Sequence, residues 1–214
     1  MRTAIHVALI LLVGVGLGFA IRSMKQPVPA DGPGPNDVVY SNDSPQTEPI
    51  ANTEPSHPPA DEDWLSRFEL TERSGKTVKS EELLGQPYLV SFFFSTCPSI
   101  CVQQNQKLKE LQDEFEGEGV RFVAISVDPE TDTPEKLREY AARFGADKEQ
   151  WLFMTGDLTY IRRIGAEIYQ QAVNKQNHTE RFVLVDPEGK IEGFYNWPEP
   201  VQMKKLREKI REMM

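Results

Sequence analysis

Basic charge, cysteine and histidine are all scarce in this chain. Its 214 residues hold 24 lysines and arginines against 33 acidic residues, a formal net charge of -9. That balance excludes a nucleic-acid partner, whose phosphates call for a basic surface, and mainly serves solubility. The two cysteines are Cys97 and Cys101, far from the N-terminus, which excludes a lipid attached through cysteine at a processed N-terminus. The three histidines are His6, His57 and His178, and there is no internal repeat. Apolar and aromatic content is ordinary for a globular core, and the length suits about one domain once a leader and a linker are set aside.

One long apolar run is present. Ala4 to Ile21, AIHVALILLVGVGLGFAI, is eighteen residues without a formal charge. As a helix it would span about 27 Å, the short end of what crosses a bilayer. Arg2 precedes it and Arg22 and Lys25 follow, too weak a bias to fix orientation. The run is longer than the apolar core of a cleaved signal. Residues 1–24 therefore read as an uncleaved transmembrane anchor, although Gly18-Phe19-Ala20 would suit a signal peptidase. Residues 25–63 read as a linker, because their proline, glycine, asparagine and acidic residues cannot bury enough apolar surface to offset ordering entropy. Proline keeps such a stretch extended, holding a domain off a membrane. His6 falls in the run and His57 in the linker, so His178 is the one imidazole left to the domain, residues 64–214.

Within that domain, Arg67–Thr71 and Thr77–Lys79 read as a hairpin around Ser74-Gly75-Lys76, with a short helix start at Ser80. Tyr88–Ser95, YLVSFFFS, has the length and continuous apolarity of a strand buried on both faces. A helix is expected to begin at Cys97-Pro98, since proline is tolerated in a first turn, and to run to Phe115. Val120–Asp128 is a second buried strand. Thr133 caps a helix opened by Pro134 and stopped at Gly145. A strand at Trp151–Met154, a helix in Leu158–Ile168, a hairpin of Arg181–Val185 with Ile191–Tyr195, and a helix over Pro198–Met213 complete the chain. Strands alternating with helices, then a hairpin and a last helix, give a three-layer α/β domain with a mixed sheet.

The cysteines are four apart, Cys97-Pro98-Ser99-Ile100-Cys101, at a strand-to-helix junction. On a helix, residues at that spacing are neighbours. Two such thiols can chelate one metal ion, or form a disulfide if the first lies just outside the regular helix. A helix N-terminus favours thiolate, which is both nucleophile and metal ligand. A stapling disulfide would close so short a loop that it would stabilise weakly. Two thiolates suit Cu(I), an added imidazole would also suit Cu(II), and a structural zinc site would want four protein ligands. His178 stands in a polar stretch just before the Arg181 strand, and is the only imidazole the domain can add.

Several ordered motifs, FELTERSGKTV, LVSFFFSTCPSIC, AISVDPETDTPEKLREYAARFG and NHTERFVLVDPEGKIEGFYN, together resemble the SCO (SenC) proteins, copper chaperones of cytochrome c oxidase assembly. The resemblance runs from about Phe68 to the C-terminus. It implies a thioredoxin-like three-layer α/β/α fold behind a membrane anchor, facing a periplasmic or other extracytoplasmic space. It also implies a copper site of Cys97, Cys101 and His178. The partner would be a copper-receiving oxidase subunit or another copper chaperone. The family's acidic loop maps to Asp128 and Asp132, candidates for carboxylates supporting the ligands, though turn and cap chemistry is the larger part of their reading. Two positions depart from the family pattern. Val102 stands where a second proline is common, and Asn177 where an acidic residue often precedes the histidine.

Two rival chemistries use the same thiols. In a thiol-disulfide reductase Cys97 and Cys101 would be the catalytic pair, cycling through a Cys97–Cys101 disulfide, although the usual redox motif has two intervening residues. A peroxide-reducing thiol enzyme would need an arginine beside a thiol, and Arg143, Arg162, Arg163 and Arg181 are the candidates. Met154 and Met203 read as core residues rather than soft ligands.

Overall fold

The computed structural model describes residues 62–214. The anchor expected at 1–24, nearly all of the linker, and His6 and His57 lie outside the described residues. Among the described residues no helix is long and apolar enough to cross a membrane.

Seven strands form one sheet: β1 (Glu69–Glu72), β2 (Thr77–Lys79), β3 (Tyr88–Phe93), β4 (Arg121–Ser126), β5 (Trp151–Thr155), β6 (Arg181–Val185) and β7 (Ile191–Asn196). Their order is β2-β1-β5-β4-β3-β6-β7. β3 runs parallel to β4 and antiparallel to β6, and β4 runs parallel to β5. The sheet is mixed, as expected: helical crossovers join the parallel strands, tight turns join β1 to β2 and β6 to β7, and the antiparallel pairs β1–β5 and β3–β6 bring together strands distant in the chain. All six residues of β3 are buried, which explains its unbroken apolar run.

The helices are α1 (Ile100–Glu114), α2 (Pro134–Arg143), α3 (Leu158–Arg163) and α4 (Pro200–Met213). Side chains alternate across β3, so Leu89 and Phe93 enter one core and Val90 and Phe92 the other. The first core takes Leu108 and Leu111 of α1, Leu137 and Tyr140 of α2, and Leu206 and Ile210 of α4. The second takes Ile161 of α3 with Ile164 and Tyr169 beyond it. Helices therefore cover both faces, giving the three layers.

Thr133 caps α2 by accepting from the Lys136 amide at 3.3 Å, and Gly145, at φ +61°, ends the segment. Several boundaries differ from expectation, among them β1, which spans Glu69–Glu72 rather than Arg67–Thr71, and α4, which starts at Pro200 rather than at Pro198. α1 starts at Ile100 rather than at Pro98, for a reason that belongs to the site. The helix expected within Leu158–Ile168 is present as α3, and it passes into a π turn over Ile164–Ile168, closed by Tyr169 N–H donating to Ile164 O at 3.1 Å.

Candidate metal centre

β3 and β4 end level, Phe93 beside Ser126, so the segments leaving them emerge together at one edge of the sheet. The β3 segment carries both cysteines. Ser99, the residue before α1, has φ -143° and ψ -65°, outside the helical region, and its hydroxyl makes no capping bond. Sulfur takes that role: the Cys101 amide donates to Cys97 Sγ at 3.4 Å. Pro98, which has no N–H to satisfy, fits inside this loop. Cys97 thus lies outside the regular helix and Cys101 within its first turn. Both thiols are free and buried, Cys97 6 % and Cys101 0 % exposed.

The third residue arrives from the segment before β6. A bridge between Asn174 and Asn177 folds it back on itself. Gln176, at φ +53°, donates from its amide to Val127 O at 3.2 Å and from Nε2 to Asp128 Oδ2 at 2.9 Å. Lys175 pairs with Glu130, and Arg162 donates to Asn174 Oδ1. The loop is thereby fastened to the segment leaving β4. It delivers His178 against Phe94, edge to face, with Nε2 3.1 Å from Cys101 Sγ. Nδ1 lies 3.0 Å from Thr179 O. A carbonyl only accepts, so Nδ1 carries the hydrogen and Nε2 turns a lone pair toward the thiols.

Electrostatics separate the two thiols. Burial pushes the Cys97 thiol up, but hydrogen bonds from the Cys101 amide and side chain and the Ser99 and Ile100 amides outweigh it, holding this thiol below its ordinary value. The Cys101 thiol is pushed up to about 12, first by burial and then by Cys97 beside it. Burial lowers the His178 imidazole, which stays neutral at pH 7. The site thus offers an acidic thiol, a protonated thiol and a neutral imidazole, and the Cys101 proton has both Cys97 Sγ and His178 Nε2 in reach.

The two candidate carboxylates have separate duties. Asp132, fully buried, accepts from Ser95 N at 3.0 Å and from the hydroxyls of Ser95 and Ser126. It ties the cysteine segment to the end of β4. Asp128 ties the histidine loop through Gln176. Asn105 adds a brace under the cysteines, its Nδ2 donating to Cys101 O at 2.9 Å and to Tyr140 Oη at 3.0 Å. Ser95, Ser126, Asn105 and Gln176 had no signal in the sequence, for their partners are set by strand register and loop packing. At the departing positions, Val102 lines an open cleft with Tyr140 and Phe144, and Asn177 contributes its backbone to the Asn174 bridge.

The four candidate arginines are placed elsewhere. Arg143 lies over the Tyr140 ring, Arg162 bonds Asn174, Arg163 pairs with Glu62 and Glu167, and Arg181 is exposed at the start of β6. Met154 and Met203 are buried in the two cores.

Among the described residues, no three histidine, cysteine or carboxylate side chains already converge on a single metal position. Cys101 instead contacts each of its two neighbours in turn. As a donor set, two thiols and one neutral imidazole with its lone pair turned inward fit copper, and fall short of the four ligands of a structural zinc site.

Residues 56–214 match the family model SCO1/SenC. The SCO1 protein homolog of Bacillus subtilis is 32 % identical over 138 residues, covering 60 % of this chain and 72 % of that protein. Among solved structures, BsSco is similar at 29 % identity and a TM-score of 0.61, covering 68 % of this chain and 90 % of that one. It is described as a member of the Sco family of cytochrome c oxidase assembly proteins with a disulfide switch. ScoI of Arabidopsis thaliana with copper bound is 27 % identical with a TM-score of 0.58, covering 70 % of this chain and 99 % of that one.

Proposed function

Because the chain belongs to the SCO1/SenC family, we propose that it binds copper as cargo through Cys97, Cys101 and His178 and delivers it to a copper-receiving protein in cytochrome c oxidase assembly. The observation that carries this reading is the contact of Cys101 Sγ with His178 Nε2 at 3.1 Å, between residues 77 apart in the chain. Cys97 and Cys101 supply thiolates once their protons have left, Cys97 the more readily, and His178 supplies a neutral nitrogen. The copper-bound Arabidopsis relative supports the choice of metal. Release follows by ligand exchange, donors of the receiving protein replacing these side chains one at a time. The receiver would be an oxidase subunit or another copper chaperone. In this reading residues 1–24 anchor the protein in a membrane, with the domain on the extracytoplasmic side, an assignment supported by the uncharged run Ala4–Ile21 and the proline-rich stretch after it.

The test is copper titration of the wild type against Cys97→Ser, Cys101→Ser and His178→Ala. A thiolate-to-Cu(II) charge-transfer band is expected in the wild type and lost in either serine variant. Cu(II) affinity in His178→Ala is expected to fall at least about tenfold. Wild-type binding by His178→Ala would sink the three-ligand site.

A second reading rests on the unequal thiols. Cys97, the more acidic and more accessible, would attack a target disulfide and release the target's other sulfur as thiolate. Cys101 would then lose its proton, with His178 Nε2 in reach to accept it, and attack Cys97 Sγ. That step closes a Cys97–Cys101 disulfide and leaves the target dithiol reduced. Disulfide turnover by the metal-free protein under a dithiol reductant tests this role, and its absence would leave copper delivery alone.

A further inference from the structure

We infer that Gln171 and Thr179 are positioning residues that decide which nitrogen of His178 faces the two cysteines. The inference deepens the copper reading and rests on it only for its consequence in metal binding.

His178 makes one contact with each ring nitrogen, and the outward contact fixes the inward one. Nδ1–H donates to Thr179 O at 3.0 Å, which leaves Nε2 as the lone-pair nitrogen toward Cys101. Thr179 belongs to the next peptide unit, so its carbonyl keeps that direction only if residue 179 is itself held. Its hydroxyl is held: Oγ1 donates to Gln171 Oε1. Gln171 is 1 % exposed, with its backbone amide on Gly165 O at 2.8 Å and its Nε2 on Gln170 O at 3.0 Å. A buried amide side chain is costly unless bonded, and a leucine would fill the same space without that cost. Among the described residues, the one side-chain bond of Gln171 that reaches beyond its chain neighbour is the one to Thr179.

The local backbone is shaped around this contact. Gly165, inside the π turn, admits the following segment at close range: a Cβ there would stand 2.8 Å from Gln171 O and 2.8 Å from Val173 Cγ2. Gln170 takes φ +53°, which reverses the chain into Gln171. The π turn, Gly165 and Gln170 together bring one amide side chain beneath the residue after the histidine. Gln176, two residues before the histidine, restrains the loop through Asp128. That bond places the loop, whereas the Thr179 contact addresses the ring nitrogen turned away from Cys101.

The test is made first without metal, on the full chain, by nitrogen NMR of the His178 ring. The wild type is expected to show a single neutral tautomer with hydrogen on Nδ1. Thr179→Val keeps the shape but removes the hydroxyl, and Gln171→Leu removes the acceptor; each is expected to give a mixture of tautomers. Thr179→Ser keeps the hydroxyl and is expected to restore the wild-type pattern, a rescue that a merely structural role would not show. In the copper-loaded protein, Cu(II) affinity is expected to fall about 10- to 100-fold in the valine and leucine variants and not in the serine variant. An unchanged single tautomer in folded Thr179→Val and Gln171→Leu would overturn the inference. If both fail to fold, Thr179→Ser and Gln171→Glu, which retain the hydroxyl and an acceptor, must keep the wild-type tautomer or the inference falls. Failure of the wild type to use His178 for copper would sink the proposed function and leave the tautomer result standing.

Discussion

Asp132 accepts a hydrogen bond from the Ser95 amide at 3.0 Å, closing across 37 residues the gap between the cysteine segment and the loop after β4. The same carboxylate takes the hydroxyls of Ser95 and Ser126, so one buried side chain joins the ends of two neighbouring parallel strands. Asp132→Ala strands three donors, one of them fully buried on Ser126. It is expected to cost about 3 kcal/mol of stability, read as a lower urea midpoint with an unchanged slope.

The unequal thiols predict an order of reaction. At pH 7 in the metal-free protein, an alkylating agent is expected to label Cys97 well before Cys101, because Cys97 is both more acidic and more accessible. Mass spectrometry of timed digests reads the order. Equal labelling of folded protein would refute the asymmetry.

Copper uptake is expected to tighten as pH rises, because the Cys101 proton, held up to about pH 12, competes with the metal. The limit is about tenfold in affinity per pH unit for each thiol proton displaced. Isothermal titration in buffers of different ionisation enthalpy counts the protons released, and Cys101→Ser is expected to lower that count by one.

The same thiol shapes stability in alkali. An unfolded Cys101 loses its proton near 9.0, whereas the folded one holds it to about 12. Over that window the unfolded state binds fewer protons, so stability falls as pH rises, by up to about 1.4 kcal/mol per pH unit. Tyr88 and Tyr140, both raised above 10.0, add the same sign only higher up. Between pH 9 and 10, Cys101→Ala is expected to flatten the decline seen in urea denaturation of the metal-free protein.

Gln176 and Asp128 form the bond that carries the histidine loop, so their substitutions are not expected to add. A double-mutant cycle of Gln176→Leu with Asp128→Ala is expected to give a coupling of about 1 kcal/mol. Additive effects would mean that the loop is held by its backbone contacts alone.

Much of the architecture was legible because it rests on periodicity and caps. The unbroken run of β3, the Thr133-Pro134 start of α2 and the turn between β6 and β7 follow from local residue chemistry. The start of α1 was misread because Pro98 looks like a first helical residue, whereas a sulfur four residues before Cys101 takes the place of the usual oxygen cap. Cys97, Cys101 and His178 stood out by spacing, scarcity and resemblance, and the fold brings them together. The residues that hold them did not stand out. Gln171, Gln176 and Asp132 work through partners 8, 48 and 37 positions away, at distances that carry no pattern along a chain.

The sulfur cap makes the first turn of α1 a reporter of what happens at Cys97. The Cys101 amide hydrogen points at that sulfur, so a thiolate, a disulfide or a metal–sulfur bond there each changes the charge the hydrogen meets. Its exchange rate with solvent and its proton shift therefore read the chemical state of Cys97 directly. A single backbone resonance can follow loading, oxidation and release without a label at the site.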